Sequence, residues 1–172
     1  MSRPDPEFSR LVRLDRVIAQ PLRIAIEATA EECQQLARRF DLVTLDRLAA
    51  DVVLQRVAGD LIRLDAAFEA EFAQSCVVTL DPVPGRVAET FSLLYGPPGD
   101  ERAEIEIDVD ETVFEPLTGE LIDIGEAVAQ EVSLALPQFP RLPDALLEPA
   151  EPFQSADGPF AALERLRRSS RN

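Results

Sequence analysis

Glu104, Glu106, Asp108 and Asp110 stand two apart and alternate with Ile105, Ile107 and Val109. On an extended strand this spacing puts four carboxylates on one face and the aliphatic side chains on the other. Such a row attracts cations, a basic protein above all, and repels nucleic acid phosphates. It is the centre of a longer acidic block: Asp100 to Glu126 holds eleven acidic residues and one basic residue, Arg102. The simpler reading of the block is a solvated surface that keeps the protein soluble.

Asp108 and Asp110 also allow a catalytic reading. With Thr112 they match the D-x-D-x-T pattern of haloacid-dehalogenase-like phosphatases, where one carboxylate is a nucleophile, the next a general acid, and Mg²⁺ lies near both. Those enzymes need a lysine on the phosphoryl group and carry the motif on the first strand of a parallel α/β sheet. This chain has no lysine, all 17 of its basic residues being arginine, and most of the chain precedes the motif. Phosphatase chemistry is the remotest reading.

Other reactive arrangements are missing. With no histidine, the chain lacks imidazole acid–base catalysis and imidazole metal ligands. Cys76 has no histidine to activate it, and Cys33 reads as a small buried hydrophobe in a helix. Two cysteines make neither a disulfide framework nor a paired-thiol metal motif, so no metal or other cofactor is expected. The seven glycines form no phosphate cradle. Phe68 and Phe72 sit among Glu69 and Glu71, unlike the aromatic–cation interleaving of single-strand binders.

The elements around these residues are legible. Leu22, Ile24 and Ile26 alternate with Arg23, Ala25 and Glu27, the period of a half-buried strand. Thr29 and Glu32 have capping-box spacing, and Leu36 and Phe40 form the apolar side of the helix they open. Val52–Val57 and Leu61–Phe72 flank Gly59-Asp60, a glycine-first hairpin turn, and the second arm alternates Ile62, Leu64, Ala66, Phe68, Ala70 and Phe72 with polar residues. Asp81–Gly85 reads as a turn, Val87–Tyr95 as a strand, and 105–109 as another. Asp123 is a good N-cap, with Glu126 suited to the helix dipole. Ile124, Val128, Val132 and Leu136 make the buried stripe of that helix, widened by Ala127, Leu134 and Ala135, and Pro137 ends it.

The expected fold is α+β: a mainly antiparallel sheet, with closure towards a barrel left open, two packing helices, a proline-rich linker and a short C-terminal helix. A single domain is expected over 1–140, the linker over 141–156, and a basic amphipathic segment over 157–172. Phe160, Leu163 and Leu166 form a docking stripe for the chain's own body or for a partner. Arg165, Arg167, Arg168 and Arg171, with Arg3, Arg10, Arg13 and Arg16, are the candidate RNA contacts. No apolar run approaches a membrane span, and a cytoplasmic, reduced protein is expected.

The ordered set of CVVTLDPV (Cys76–Val83), GELIDIGEAVAQEVSLALPQFP (Gly119–Pro140) and GPFAALERL (Gly158–Leu166) resembles the YceD family, also called DUF177, of large ribosomal RNA subunit accumulation proteins. The resemblance covers nearly all of the chain after the first twenty residues. It implies a non-enzymatic factor for synthesis, processing or stability of 23S rRNA, whose gene in many bacteria neighbours that of a small basic large-subunit ribosomal protein. An acidic adapter for such a protein is the preferred reading, with rRNA reached indirectly. Direct rRNA binding through the arginine-rich C-terminus is the alternative. Many relatives carry a second cysteine near the Cys76 position and more after the helix; Arg141–Pro152 has none, so a zinc site is not expected here.

Overall fold

The computed structural model describes residues 6–18, 20–58, 61–97, 113–117 and 119–146. Its centre is a sheet of five strands in the order β2-β3-β4-β5-β6. These are β2 (Leu22–Glu27), β3 (Thr44–Ala58), β4 (Leu61–Ser75), β5 (Pro82–Gly96) and β6 (Val113–Pro116). The first four run antiparallel, and β6 joins β5 in parallel. The fold is α+β as expected, but the sheet is open: no ladder among the described residues joins β2 to β6.

Alternation sets the two faces. On β4, Ile62, Leu64, Ala66, Phe68, Ala70 and Phe72 are buried, while Arg63, Ala67 and Glu71 are exposed. The registers carry this parity across the sheet, so Leu22, Leu54, Leu64 and Leu93 form one row on the inner face. A helix α1 (Ala30–Arg39) packs on β3, and a second, α2 (Ile124–Ala135), packs on β4 and β5. Both lie over the inner face and close the core.

Helix α1 opens with the capping box read from Thr29 and Glu32, both reciprocal bonds being present. Helix α2 opens on Asp123, whose carboxylate accepts from the amides of Gly125 and Glu126. It ends before Pro137 because Leu136, the residue preceding proline, is extended at φ −66°, ψ 137°. Its buried face comprises Ile124, Gly125, Ala127, Val128, Ala129 and Val132. Leu134, expected to widen that face, is instead 77% exposed. At 100° per residue it lies about 120° around the helix from Val128.

The turn expected at Asp81–Gly85 is displaced. The chain turns at Val77–Leu80, with Leu80 at φ 65°, and β5 starts at Pro82. Pro82 and Pro84 are tolerated because, among the described residues, only 93–96 of β5 pair with β6 and its start has no second neighbour. Gly85 lies opposite Phe72, and a Cβ there would come within 2.6 Å of the ring, so the glycine makes room for the aromatic.

A two-stranded ladder, β1 (Leu11–Arg13) with β7 (Leu121–Asp123), ties the N-terminal segment to the start of α2. Arg10 donates from one guanidinium nitrogen to each oxygen of Glu32, at 2.7 and 2.9 Å. These bonds, with the Thr29 amide, hold the Glu32 carboxyl at about 2, against an ordinary 4.5. A depressed carboxyl pKa stabilises the fold fully above about pH 4.5, and the contribution is lost as pH falls through about 2. Arg10→Met is therefore expected to cost about 1–2 kcal/mol at pH 7, allowing for partial exposure of the pair. Urea unfolding checks this: the gap from the parent protein should shrink between pH 5 and pH 2.5, and a constant gap would refute the linkage.

Candidate functional site: an open sheet face

The outer face of the sheet is uncovered by any helix among the described residues. Here the registers make two adjacent rows, Glu27–Ala49–Glu69–Ala88 and Ala25–Asp51–Ala67–Thr90. Ala25, Ala49, Ala67 and Ala88 thus zigzag across four strands, each beside a longer side chain. They floor a groove of about 730 Å³ walled by Glu27, Arg47, Asp51 and Glu69.

The walls are mostly anionic, and their one arginine is already engaged. Arg47 lies 3.2 Å from Glu27 and 3.6 Å from Glu69, and Arg86 lies 3.1 Å from Glu69. The Asp51 side chain, in the second row, has no hydrogen bond or ion pair among the described residues. Small side chains allow a visiting segment to approach the sheet backbone closely, and the free carboxylate offers it a bidentate acceptor for a guanidinium. This arrangement suits binding a cationic, partly apolar protein segment.

Elsewhere four arginines are neutralised at home. Arg10 pairs with Glu32 and lies 4.6 Å from the Phe8 ring centroid, and Arg13 pairs with Asp15. Arg39 bridges Glu7 and Glu126, while Arg63 pairs with Asp65. Arg10 and Arg13, considered as RNA contacts, are thus committed to carboxylates, whereas Arg16 forms no ion pair among the described residues. Arg3 lies outside the described residues.

Cys76 is fully buried where the turn after β4 meets the segment following α2. The amide of Val77 donates to Pro140 O at 2.9 Å, and Gln74 donates to Pro137 O at 3.0 Å. The Thr79 hydroxyl, then the amides of Leu142, Thr79 and Val78, pull the Cys76 thiol down to about 6. Burial instead pushes Cys33 up. No group of three or more His, Cys, Asp or Glu able to hold a metal lies among the described residues. Beyond α2 the chain stays attached through residue 146: Ala145 is buried, and Arg141 donates to its carbonyl.

The candidate residues Glu104, Glu106, Asp108, Asp110, Phe160, Leu163, Leu166, Arg165, Arg167, Arg168 and Arg171 all lie outside the described residues. The groove itself was missed in the sequence. Alternation assigns Glu69 and Ala67 to the outer face, but only register places Ala25, Ala49 and Asp51 beside them.

The family model described as "Large ribosomal RNA subunit accumulation protein YceD" matches residues 64–167. The chain belongs to the YceD family. No curated protein and no solved structure matches it. The YceD match begins inside β4 and takes in the Cys76 turn, β5, β6, β7 and α2. Half of the groove, from β2 and β3, thus lies before the YceD-matched region. The family name connects the chain with accumulation of large-subunit ribosomal RNA. No helix among the described residues is long and apolar enough to cross a membrane.

Proposed function

We propose that this YceD-family chain is a non-enzymatic, cytoplasmic factor of large ribosomal subunit biogenesis. It acts as an acidic adapter for a basic large-subunit ribosomal protein and supports 23S rRNA accumulation indirectly. Family membership supports the ribosomal setting. The adapter role rests on one electrostatic observation: the chain carries net charge −15, and six of its eleven described arginines are already paired with carboxylates. Phosphate binding needs clustered cations that can release counterions. A cationic protein meets instead a surface already complementary to it, which speeds encounter and disfavours wrong partners. Glu104, Glu106, Asp108 and Asp110 are the proposed contact row.

Affinity purification of the full chain from cells tests this. A basic large-subunit protein should co-purify, and its recovery should fall about tenfold when the four contact-row residues become Gln or Asn together. Recovery of no ribosomal protein would sink the adapter reading. Association of the purified chain with rRNA that weakens steeply with salt and requires Arg165, Arg167, Arg168 and Arg171 would support direct RNA binding instead. Magnesium-dependent phosphate release abolished by Asp108→Asn would overturn the non-enzymatic reading.

A further inference from the structure

The anionic groove on the outer sheet face and the cationic end of the same chain are complementary in three respects. The first is size. Four strands at about 4.8 Å spacing make the alanine floor roughly 14 Å across, and ten helical residues measure about 15 Å. Residues 159–168, PFAALERLRR, form a helix-compatible stretch of that length opening on Pro159. The second is surface chemistry. Phe160, Leu163 and Leu166 recur on one side of such a helix, and at 100° per residue Arg167 falls beside them. Apolar side chains suit the alanines, and the guanidinium suits the unpaired Asp51.

The third is reach. The described chain ends at Leu146, in a segment tied to the end of β4 by the Val77–Pro140 and Gln74–Pro137 bonds. From Ser75 back to Ala67 along β4 is about 26 Å at 3.3 Å per residue. Residues 147–158, with two prolines, can span up to roughly 37 Å at about 3.1 Å each. A short tether also gives the segment an effective concentration in the millimolar range, enough for a weak contact to be well populated.

We propose that the C-terminal segment 159–168 docks on this groove of its own chain, with Phe160, Leu163 and Leu166 on the alanine floor and Arg167 against Asp51. Docking engages Arg167, one of the four C-terminal arginines, and a more cationic partner gains the groove only by displacing the segment. The contact itself is independent of the ribosomal role: it is tested on the purified chain alone.

The test compares full-length proteins by amide NMR and by trypsin cleavage after Arg168. Leu163→Asp should shift the amides of Ala25, Ala49, Ala67 and Ala88 together, leaving inner-face residues such as Leu64 unmoved. Asp51→Arg should raise the cleavage rate about tenfold, and adding Arg167→Glu to it should reverse the alanine-amide shifts that Asp51→Arg causes by releasing the segment. Alanine amides indifferent to Leu163→Asp would overturn the proposal. So would shifts confined to exposed Val77, Leu80 and Phe139, which would place the segment on the apolar end of the sheet. Protection that rises with protein concentration would assign the groove to a second copy and refute docking within the chain.

Discussion

Replacing Asp123 with alanine is expected to destabilise the protein by about 3 kcal/mol, far more than loss of an ordinary helix cap. The carboxylate accepts from the Gly125 amide at 3.1 Å and the Glu126 amide at 3.2 Å, which is the capping function. It also accepts from Ser9 Oγ at 2.6 Å and from the Arg10 amide at 2.8 Å. Those donors are more than a hundred residues away in sequence, so the same side chain starts α2 and anchors the N-terminal segment. A cap alone is worth about 1 kcal/mol, and hydrogen bonds to a charged acceptor contribute about 1.5–3 kcal/mol. Asp123→Asn keeps one acceptor oxygen and should recover about half of the loss. Urea unfolding measures the total, and amide exchange should show Arg10 and Val12 opening first. A loss below about 1 kcal/mol would reduce Asp123 to a simple cap.

Leu64→Ala is expected to cost about 3–4 kcal/mol. Leu64 is completely buried near the start of β4, between Leu54 on β3 and Leu93 on β5. Truncation removes the transfer free energy of the lost carbons. It also leaves a cavity that two long paired strands cannot readily collapse to fill. Leu64→Met should cost less than about 1.5 kcal/mol, since it preserves volume. Arg63→Ala, one residue away on the solvent face, should stay within about 0.5 kcal/mol. Denaturant midpoints of the three variants check that ordering. Equal losses for Arg63→Ala and Leu64→Ala would contradict the assignment of inner and outer faces.

The sequence alone determined what depends on neighbours within a few residues. Thr29 and Glu32 close their capping box across one helical turn, and Asp123 caps the two amides just after it. The period-2 pattern from Ile62 to Phe72 separates the buried face from the wet one because successive strand side chains point oppositely. Where the structure departs from the local reading, an interaction outside the window is responsible. Pro82 and Pro84 look like turn residues, yet they fit a strand because their side of β5 has no partner there among the described residues. Leu134 looks like part of an apolar stripe, yet it lies about 120° around α2 from the buried Val128 and is exposed.

Tertiary structure decided the rest, and for the candidate site it decided nearly everything. Ala25, Ala49, Asp51 and Ala67 are unremarkable in sequence. They become one surface only when antiparallel pairing brings Ala25 opposite Asp51, Asp51 opposite Ala67, and Ala49 opposite Glu69. A register different by one residue would carry these side chains to the other face and leave no groove. Alternation is encoded along a strand, whereas register is encoded between strands, in the packing of rows such as Leu22, Leu54, Leu64 and Leu93. The helices and the parity of the strands are therefore local facts of this chain, and its binding surface is a consequence of how the strands align.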